Sequence, residues 1–211
     1  MKENKLPIGC DVPETIILAD GDFPSHPLAL EWLRQCPYVV CCDGAANTYI
    51  RSGRMPEAIV GDGDSLLPDI KERYASLIHS EAEQETNDLS KAFRFCLSQE
   101  RKRITIMGAT GKREDHTIGN VSLLADYMEQ AEVSMMTDYG IFVPIREDSM
   151  FESYIGQQIS VFNMNSTALS AEGLAYPLSV FTNWWQGTLN EALARHFIIR
   201  TEGKVLVFRV F

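Results

Sequence analysis

The stretch Ile104-Thr-Ile-Met-Gly-Ala-Thr-Gly-Lys-Arg-Glu-Asp-His-Thr-Ile-Gly-Asn120 joins an apolar β-type run to a glycine-containing turn and the start of a helical pattern. Glycines at such a turn let backbone N–H groups approach phosphate oxygens, and the helix N-terminus adds partial positive charge. Lys112 and Arg113 supply further donors, and Arg113 can bind bidentately. Asp115 fits such a site if a metal ion or a proton transfer is involved. The stretch predicts a phosphate site within a strand–turn–helix unit.

The two common phosphate loops do not explain this stretch. In a Walker A comparison, Ile106 stands at the first glycine position and Arg113 replaces the Ser/Thr. A dinucleotide fingerprint starting at Gly61 and Gly63 fails because Leu66 occupies the third glycine position. The chain therefore needs another phosphate-handling family.

Outward from this stretch, β-type runs and helical patterns alternate between residue 14 and about residue 138. The β-type runs are Thr15–Ala19, Tyr38–Cys42, Ala58–Val60, Leu77–His79, Ile104–Met107 and Val133–Met136. The helical patterns begin near Pro27, Ala45, Pro68, Asp88 and Asp115. Alternation of this kind predicts a parallel α/β sheet with right-handed crossovers.

From about Tyr139 onward the sequence predicts strands without helices. The predicted strands are Ile141–Ile145, Gln158–Phe162, Leu178–Phe181, Phe197–Ile199 and Val205–Phe211. The segment Thr201-Glu-Gly-Lys204 is typical of a hairpin turn between the last two. The fold class is therefore an N-terminal parallel-sheet α/β domain, residues 1–138, followed by a small C-terminal antiparallel β-sandwich, residues 139–211.

Composition narrows the class of partner. The 211 residues are 45% hydrophobic and 23% charged, as in ordinary globular proteins, and carry a formal net charge of −10. This charge disfavours nucleic acid and anionic membranes as partners. The N-terminus lacks the apolar core of a signal peptide, and no apolar run reaches the length of a membrane span. The five cysteines lack C-x-x-C spacing, so we expect a reduced, cytoplasmic protein without a zinc site.

Acidic motifs follow the predicted strands. Asp43 comes after one β-type run, Asp62 and Asp64 after the next, and Asp88 and Asp115 begin helices after two others. The carboxyl ends of parallel strands share one edge, where open α/β folds bind ligands. Clustered carboxylates repel one another by roughly 1 to 4 kcal/mol per close pair, which a cation relieves. Oxygen ligands beside a phosphate site favour Mg²⁺.

Each acidic residue also has a local interpretation. Asp43 and Asp62 precede glycines and are typical of turns. Asp88 is consistent with an N-cap, and Asp115 with a first-turn carboxylate that complements the helix dipole. Their shared position at one edge favours the metal and phosphate site.

Four ordered motifs resemble the thiamine pyrophosphokinase family. They are Asp43-Gly-Ala-Ala-Asn47, Gly61-Asp-Gly-Asp-Ser65, Glu83-Gln-Glu-Thr-Asn-Asp88 with Lys91, and Gly108-x-x-Gly-x-Arg-x-Asp-His116 with Asn120. The resemblance implies a catalytic α/β domain that binds ATP and Mg²⁺, and a β-sandwich that binds thiamine and dimerises. The implied reaction transfers the diphosphoryl group of ATP to the hydroxyl of thiamine, giving thiamine diphosphate and AMP.

The resemblance also implies roles for individual residues. Asp62, Asp64 and Asp88 are the implied Mg²⁺ ligands, and Asp64, Arg113 and Asp115 the implied catalytic residues. The residues expected at ATP and its phosphates are Asp43, Gln84, Lys91, Gly108, Gly111, Lys112, Arg113 and Asn120. One carboxylate orients or deprotonates the thiamine hydroxyl, and the choice stays open, as does that between Mg²⁺ and Mn²⁺.

Two positions depart from the family pattern. Asn87 stands where the family often has threonine, so we expect altered contacts with function retained. A family Ser-Asn pair corresponds to Thr182-Asn183, followed here by Trp184-Trp185. The expected thiamine contacts are Thr182, Asn183 and Trp184, with Trp185 as the alternative ring. The resemblance further implies a homodimer whose thiamine site lies between subunits.

Two other functions remain open at this point. Asp62-Gly-Asp64 after an apolar run resembles the start of an aspartyl-phosphate phosphohydrolase motif, although Leu66 departs from it. A nucleotide-binding regulator without catalysis is the other alternative. The sequence disfavours it because Asp64, Arg113 and Asp115 are all present.

Overall fold

The computed structural model describes residues 1–7, 12–81 and 85–211. The chain separates into two compact units. The first, here called the α/β unit, comprises 12–123 and 130–138. The second, the β unit, comprises 124–129 and 139–211 together with the described N-terminal residues. The predicted boundary after residue 138, and the role assigned to each domain, stay predictions.

The α/β unit contains one parallel sheet. After β1 (Lys2–Asn4), which belongs to the β unit, its strands are β2 (Thr15–Leu18), β3 (Val39–Cys42), β4 (Ala58–Gly61), β5 (Ile78–Ser80), β6 (Arg103–Met107) and β7 (Glu132–Met136). Their order in the sheet is β7-β6-β2-β3-β4-β5, and every neighbouring pair is parallel. The predicted alternating α/β pattern is confirmed.

Helices connect these strands. They are α1 (Pro27–Gln35), α2 (Ala45–Arg51), α3 (Pro68–Arg73), α4 (Asp88–Ser98) and α5 (Glu114–Tyr127), with a 3-10 turn at Ala75–Leu77. All four residues of β2, β3 and β4 are buried, which explains why these strands are continuous apolar runs. Among the described residues, no helix is both long enough and apolar enough to cross a bilayer.

The strand order reverses its direction at β2. The chain runs outward from β2 through β3, β4 and β5, then returns to the other side of β2 for β6 and β7. The connection that leaves β2 therefore runs toward one edge of the sheet, and the connection that leaves β6 runs toward the other edge. Open α/β folds bind ligands at such a reversal, outside the carboxyl ends of the strands.

The β unit is a sandwich. Its further strands are β8 (Gly140–Ile145), β9 (Ser149–Glu152), β10 (Gln158–Asn163), β11 (Leu169–Glu172), β12 (Asn190–Glu191), β13 (His196–Thr201) and β14 (Val205–Val210). One layer has the order β1-β9-β13-β11, and the other has β12, β10, β14 and β8 as successive neighbours. The pairs are antiparallel except β1 with β9. The predicted antiparallel C-terminal part is confirmed.

Two local predictions in the β unit are wrong. The Thr201–Lys204 segment does not close a hairpin, because β13 and β14 belong to different layers. The turn, with Gly203 at φ +134°, carries the chain across the sandwich. The predicted strand Leu178–Phe181 is absent from these described residues. Leu178 is buried in the sandwich core, so its apolar character reflects burial rather than strand pairing.

A buried arginine ties the first strand into the β unit. The Arg209 guanidinium in β14 donates to the carbonyl oxygens of Glu152 at 2.9 Å, Lys5 at 2.9 Å and Asn4 at 3.3 Å. It also lies over the ring of Phe151, 5.1 Å from its centroid. Buried charge is tolerated here because carbonyl oxygens and an aromatic face surround it.

Candidate functional site

Three carboxylates meet at the carboxyl edge of the α/β sheet. Asp43 follows β3, whereas Asp62 and Asp64 follow β4. One oxygen from each of these three side chains lies within 4.8 Å of the others. We call this set the carboxylate cluster.

Asp43 is the buried member of the carboxylate cluster. Only 2% of the Asp43 surface is exposed to solvent, and its backbone φ is +31°. Oδ2 accepts a hydrogen bond from the Ser65 N–H at 3.0 Å, whereas Oδ1 is buried without a hydrogen-bond partner in the described structure. Burial, reinforced by the neighbouring carboxylates, raises the pKa of Asp43 to about 6. A cation at this position would compensate both the buried oxygen and the mutual repulsion, so the donor set fits a hard divalent ion.

Asp88, the third predicted metal ligand, lies next to the carboxylate cluster and already has a cationic partner. A Cβ added at Gly61 would lie 3.3 Å from Asp43 Cγ and 3.4 Å from Asp88 Cγ, so the two carboxyl groups flank this glycine. Asp88 Oδ1 accepts a hydrogen bond from Lys91 Nζ at 3.0 Å, and Lys91 is only 3% exposed. Lys91, predicted to contact ATP, therefore contacts a predicted metal ligand in this structure.

The predicted phosphate turn packs against the segment that follows β2. The Gly21 N–H donates to Gly108 O at 2.6 Å, and the Asp22 N–H donates to Thr110 O at 2.9 Å. Gly108 has φ +64°, and a Cβ there would lie 2.7 Å from the carbonyl oxygen of Ala19. Gly108 therefore supplies both the left-handed backbone and the close approach that the turn requires.

The cations of this turn are paired with carboxylates of the same chain. Lys112 Nζ donates to Asp20 O at 2.8 Å and to Asp20 Oδ1 at 3.1 Å. Arg113 donates to both carboxylate oxygens of Asp115, at 3.1 and 2.6 Å. The hydrogen bond from Arg113 lowers the pKa of Asp115 to about 2. Both pairs are exposed, so a bound phosphate can compete with these carboxylates for the two cations.

Asn120 connects the turn to helix α4. Its Nδ2 donates to Ala109 O at 2.9 Å, and its Oδ1 accepts from Asn87 Nδ2 at 3.2 Å. The Asn87 Oδ1 in turn accepts from the Ser90 N–H at 2.9 Å and caps α4. Asn87, which stands where the family often has threonine, thus links the third motif to Asn120 of the fourth.

Two models of known protein families match the chain. Residues 29–136 match the family model described as thiamin pyrophosphokinase, catalytic domain, and residues 140–208 match the one described as thiamin pyrophosphokinase, substrate-binding domain. The chain belongs to the thiamine pyrophosphokinase family.

Individual relatives and solved structures agree with this assignment. The chain is 30% identical over 129 residues to thiamine pyrophosphokinase 1 of Oryza sativa subsp. japonica, a match that covers 49% of each protein. It therefore spans about half the length of the curated relatives it matches. Its fold is similar to thiamin pyrophosphokinase from Candida albicans (TM-score 0.79, 19% identity, 99% of this chain and 93% of that chain). It is also similar to the Bacillus subtilis enzyme structure (TM-score 0.77, 21% identity, 93% and 98%).

The predicted thiamine contacts lie in the β unit, within the region matched by the substrate-binding model of the family. Gln186 Oε1 accepts from the Asn183 N–H at 2.9 Å and from the Thr182 N–H at 3.2 Å. Trp184 and Trp185 begin a 3-10 helix, Trp184–Gly187, within a region where the sequence predicted strands without helices. Trp184 is 40% exposed and Trp185 73% exposed. Local capping by Asn183 and Gln186 overrides the β-type pattern.

Several residues at the carboxyl edge lie outside the predicted set. Asp20 contacts Lys112, and its Oδ2 lies 2.6 Å from where a Cβ of Gly44 would stand. Asp22 lies against Gly111, where a Cβ would overlap its carboxylate. Both lie within four residues of the end of β2, so the positional rule that identified Asp43 extends to them. Gln84, predicted to contact ATP, lies outside the described residues.

Proposed function

We propose that this protein transfers the β,γ-diphosphoryl group of ATP to the hydroxyl of thiamine, forming thiamine diphosphate and AMP. The observation that carries this proposal is the carboxylate cluster, whose buried Asp43 oxygen a cation would compensate, at the same sheet edge as the Gly108–Arg113 turn. Asp20 contacts Lys112 on the turn and approaches Gly44, the neighbour of Asp43. The turn and the segment that carries Asp43 therefore lie on either side of the Asp20 side chain. Membership of the family supplies the choice of substrates.

The proposed cation is Mg²⁺, held by Asp62, Asp64 and Asp88, with Asp43 as an additional oxygen donor from the carboxylate cluster. When bound, this ion would neutralise phosphate charge and orient the phosphate chain. The carboxylates would remain mutually repulsive without it. Oxygen-only donors in small number suit Mg²⁺ and leave room for phosphate oxygens.

The chain's own residues would position the reacting groups. Lys112 and Arg113 would exchange their carboxylate partners for phosphate oxygens, and the turn at Gly108 and Gly111 would offer backbone N–H groups. The thiamine hydroxyl oxygen would form a bond to the β-phosphorus as the bond from that phosphorus to the α,β-bridging oxygen breaks. The bridging oxygen would leave on AMP, and the hydroxyl proton would pass to a carboxylate of the site or to water. While paired with Arg113, Asp115 is a weak base because its pKa is about 2, which favours an orienting role.

The thiamine end of the proposal involves Thr182, Asn183 and an exposed tryptophan. A cationic thiazolium against an indole face gains about 0.5 to 2 kcal/mol. We therefore expect Trp184→Leu to raise the KM for thiamine several-fold while the KM for ATP stays constant. Trp185→Leu is the matched control, and an effect of Trp185→Leu alone would reassign the contact to that ring. Unchanged thiamine KM in both variants would remove the tryptophans from the site.

We also propose a cytoplasmic homodimer. Large apolar side chains are exposed on the β unit and would be covered by a second copy of the chain, among them Tyr176, Leu189 and Leu193. Free thiols at Cys36, Cys41, Cys42 and Cys96 fit a reducing compartment. Sedimentation analysis at several protein concentrations would test the dimer.

Phosphorus NMR tests the reaction directly. ATP, Mg²⁺ and thiamine should yield AMP and thiamine diphosphate in equal amounts, and EDTA should stop the reaction until Mg²⁺ is restored. ADP as the main product would instead identify a monophosphoryl kinase. Release of inorganic phosphate without thiamine, together with a trapped aspartyl-phosphate, would favour the phosphohydrolase alternative.

A further inference from the structure

Asn47 holds the loop that carries two members of the carboxylate cluster. Asn47 Nδ2 donates to Ser65 O at 2.8 Å, and Asn47 Oδ1 accepts from the Leu67 N–H at 3.0 Å. Asp43, which directly precedes the N-cap of α2, accepts a hydrogen bond from the Ser65 N–H at 3.0 Å. The peptide groups on both sides of Ser65 are thus held from one helix end.

The held loop sets the direction of the other carboxylates. Ser65 Oγ donates to Asp64 Oδ1 at 3.0 Å, and the Asp64 N–H donates to Asp62 Oδ1 at 3.2 Å. Gly63 between them has φ +76°, and Lys71 Nζ donates to its carbonyl oxygen at 2.7 Å. Asn47 therefore acts one residue away from Asp64, through Ser65.

We propose that Asn47 is a positioning residue, which fixes Asp62 and Asp64 in the geometry required to bind a divalent cation. This inference rests on the proposed function, because it concerns the same cation site. The amide nitrogen and the amide oxygen of Asn47 both form hydrogen bonds to the loop. Fixing ligand direction before binding removes an ordering cost from the binding step, so loss of Asn47 weakens cation binding without removing any ligand.

The main test is Mn²⁺ binding to the purified full chain, followed by the EPR signal of the free ion. Asn47→Leu keeps the approximate volume and removes both hydrogen bonds, and it should raise the Mn²⁺ dissociation constant about tenfold. Thr48→Ala, at an exposed neighbouring position of α2, is the matched control and should bind as the wild type does. Far-UV circular dichroism would confirm that each variant is folded.

A second variant separates positioning from electrostatics. Asn47→Asp adds a negative charge near the cation but places an oxygen against Ser65 O, where the amide previously donated. Positioning predicts weaker Mn²⁺ binding in Asn47→Asp, whereas a purely electrostatic role predicts tighter binding and would overturn the inference. This variant also preserves the test if Asn47→Leu fails to fold.

Asp64→Asn, measured in the same experiment, separates the existence of the cation site from the role of Asn47. If Asp64→Asn loses Mn²⁺ and Asn47→Leu binds it as the wild type does, the cation site stands and the role of Asn47 is wrong. If wild type and Asp64→Asn bind Mn²⁺ equally, the cation site itself is wrong and the inference falls with it. Loss in both Asn47→Leu and Asp64→Asn, with Thr48→Ala unaffected, supports the proposal.

Discussion

The carboxylate cluster and the cationic turn differ in burial and in charge compensation. In the cluster, Asp43 is buried, one of its oxygens has no partner in the described structure, and Asn47 fixes the loop around it. In the turn, Lys112 and Arg113 are exposed and already paired with carboxylates. The cluster thus has a fixed geometry and uncompensated negative charge. In the turn the charges are compensated, but by exposed partners that a bound phosphate can replace. We therefore expect changes in the cluster to affect chemistry and stability, and changes in the turn to affect mainly affinity.

The largest expected effect is at Asp64. Asp64→Asn should reduce turnover about 10²-fold or more, because it removes a cation ligand. The metal-free variant should unfold at the same or a slightly higher temperature than the wild type, since one like-charge repulsion disappears. Asp69→Asn, at an exposed aspartate in the first turn of α3, is the control for both measurements. A marked loss of stability in Asp64→Asn would show that the carboxylate has a structural role.

The next effect concerns the exchangeable turn. Arg113→Ala should raise the KM for ATP about 10- to 100-fold, and Arg113→Lys should be nearly as damaging, because an ammonium cannot bind phosphate bidentately. Neither variant should change the unfolding temperature. Arg34→Lys is the matched control, because Arg34 is an exposed arginine paired with Glu31 three residues away. Wild-type kinetics in Arg113→Lys would show that a point charge suffices.

Mg²⁺ should stabilise the wild type through the cluster alone. At tenfold excess over its dissociation constant, a ligand contributes about 1.4 kcal/mol, or about 3 to 6 °C for a chain of this size. Thermal unfolding with and without Mg²⁺ should show this rise in wild type and in Arg113→Ala, but not in Asp64→Asn. An equal rise in Asp64→Asn would place the stabilising ion elsewhere.

The smallest effect is expected at Asp20. Asp20→Asn removes the carboxylate that competes with phosphate for Lys112, so the KM for ATP should fall about two- to threefold. The double variant with Lys112→Met should show no further benefit from Asp20→Asn. A rise in KM after Asp20→Asn would mean that the carboxylate places Lys112 for binding rather than competing for it.

The α/β unit was predictable because its strands β2, β3 and β4 are buried on both faces. Runs such as Ile16–Leu18 are continuously apolar, and the polar motifs begin where burial ends. Because these strands are parallel, the motifs that follow them can be placed at one edge of the sheet before any side-chain contact is known. Asp20 was missed although it obeys the same rule. The Asp88–Lys91 contact was also readable from the three-residue spacing on a helix.

The β unit and the pairings at the turn were less predictable. Short strands such as β9 and β11 carry alternating burial over only four residues, and β12 has two residues. A turn signal such as Thr201–Lys204 marks a chain reversal but not the layer that the next strand joins. The Arg113–Asp115 contact depends on side-chain rotamers in solvent, which sequence spacing does not fix.

The Arg209 contacts impose an order of events during protein synthesis. Asn4 and Arg209 are separated by 205 positions, so the carbonyl oxygens of the first strand leave the ribosome long before their donor is made. At about 5 to 20 residues per second, the wait is ~10 to 40 s. Within that interval the residues of the α/β unit have all been synthesised. The β unit therefore closes late: β1 can pair with β9 only after Ser149–Glu152 has been made, and the contacts from Arg209 follow later still.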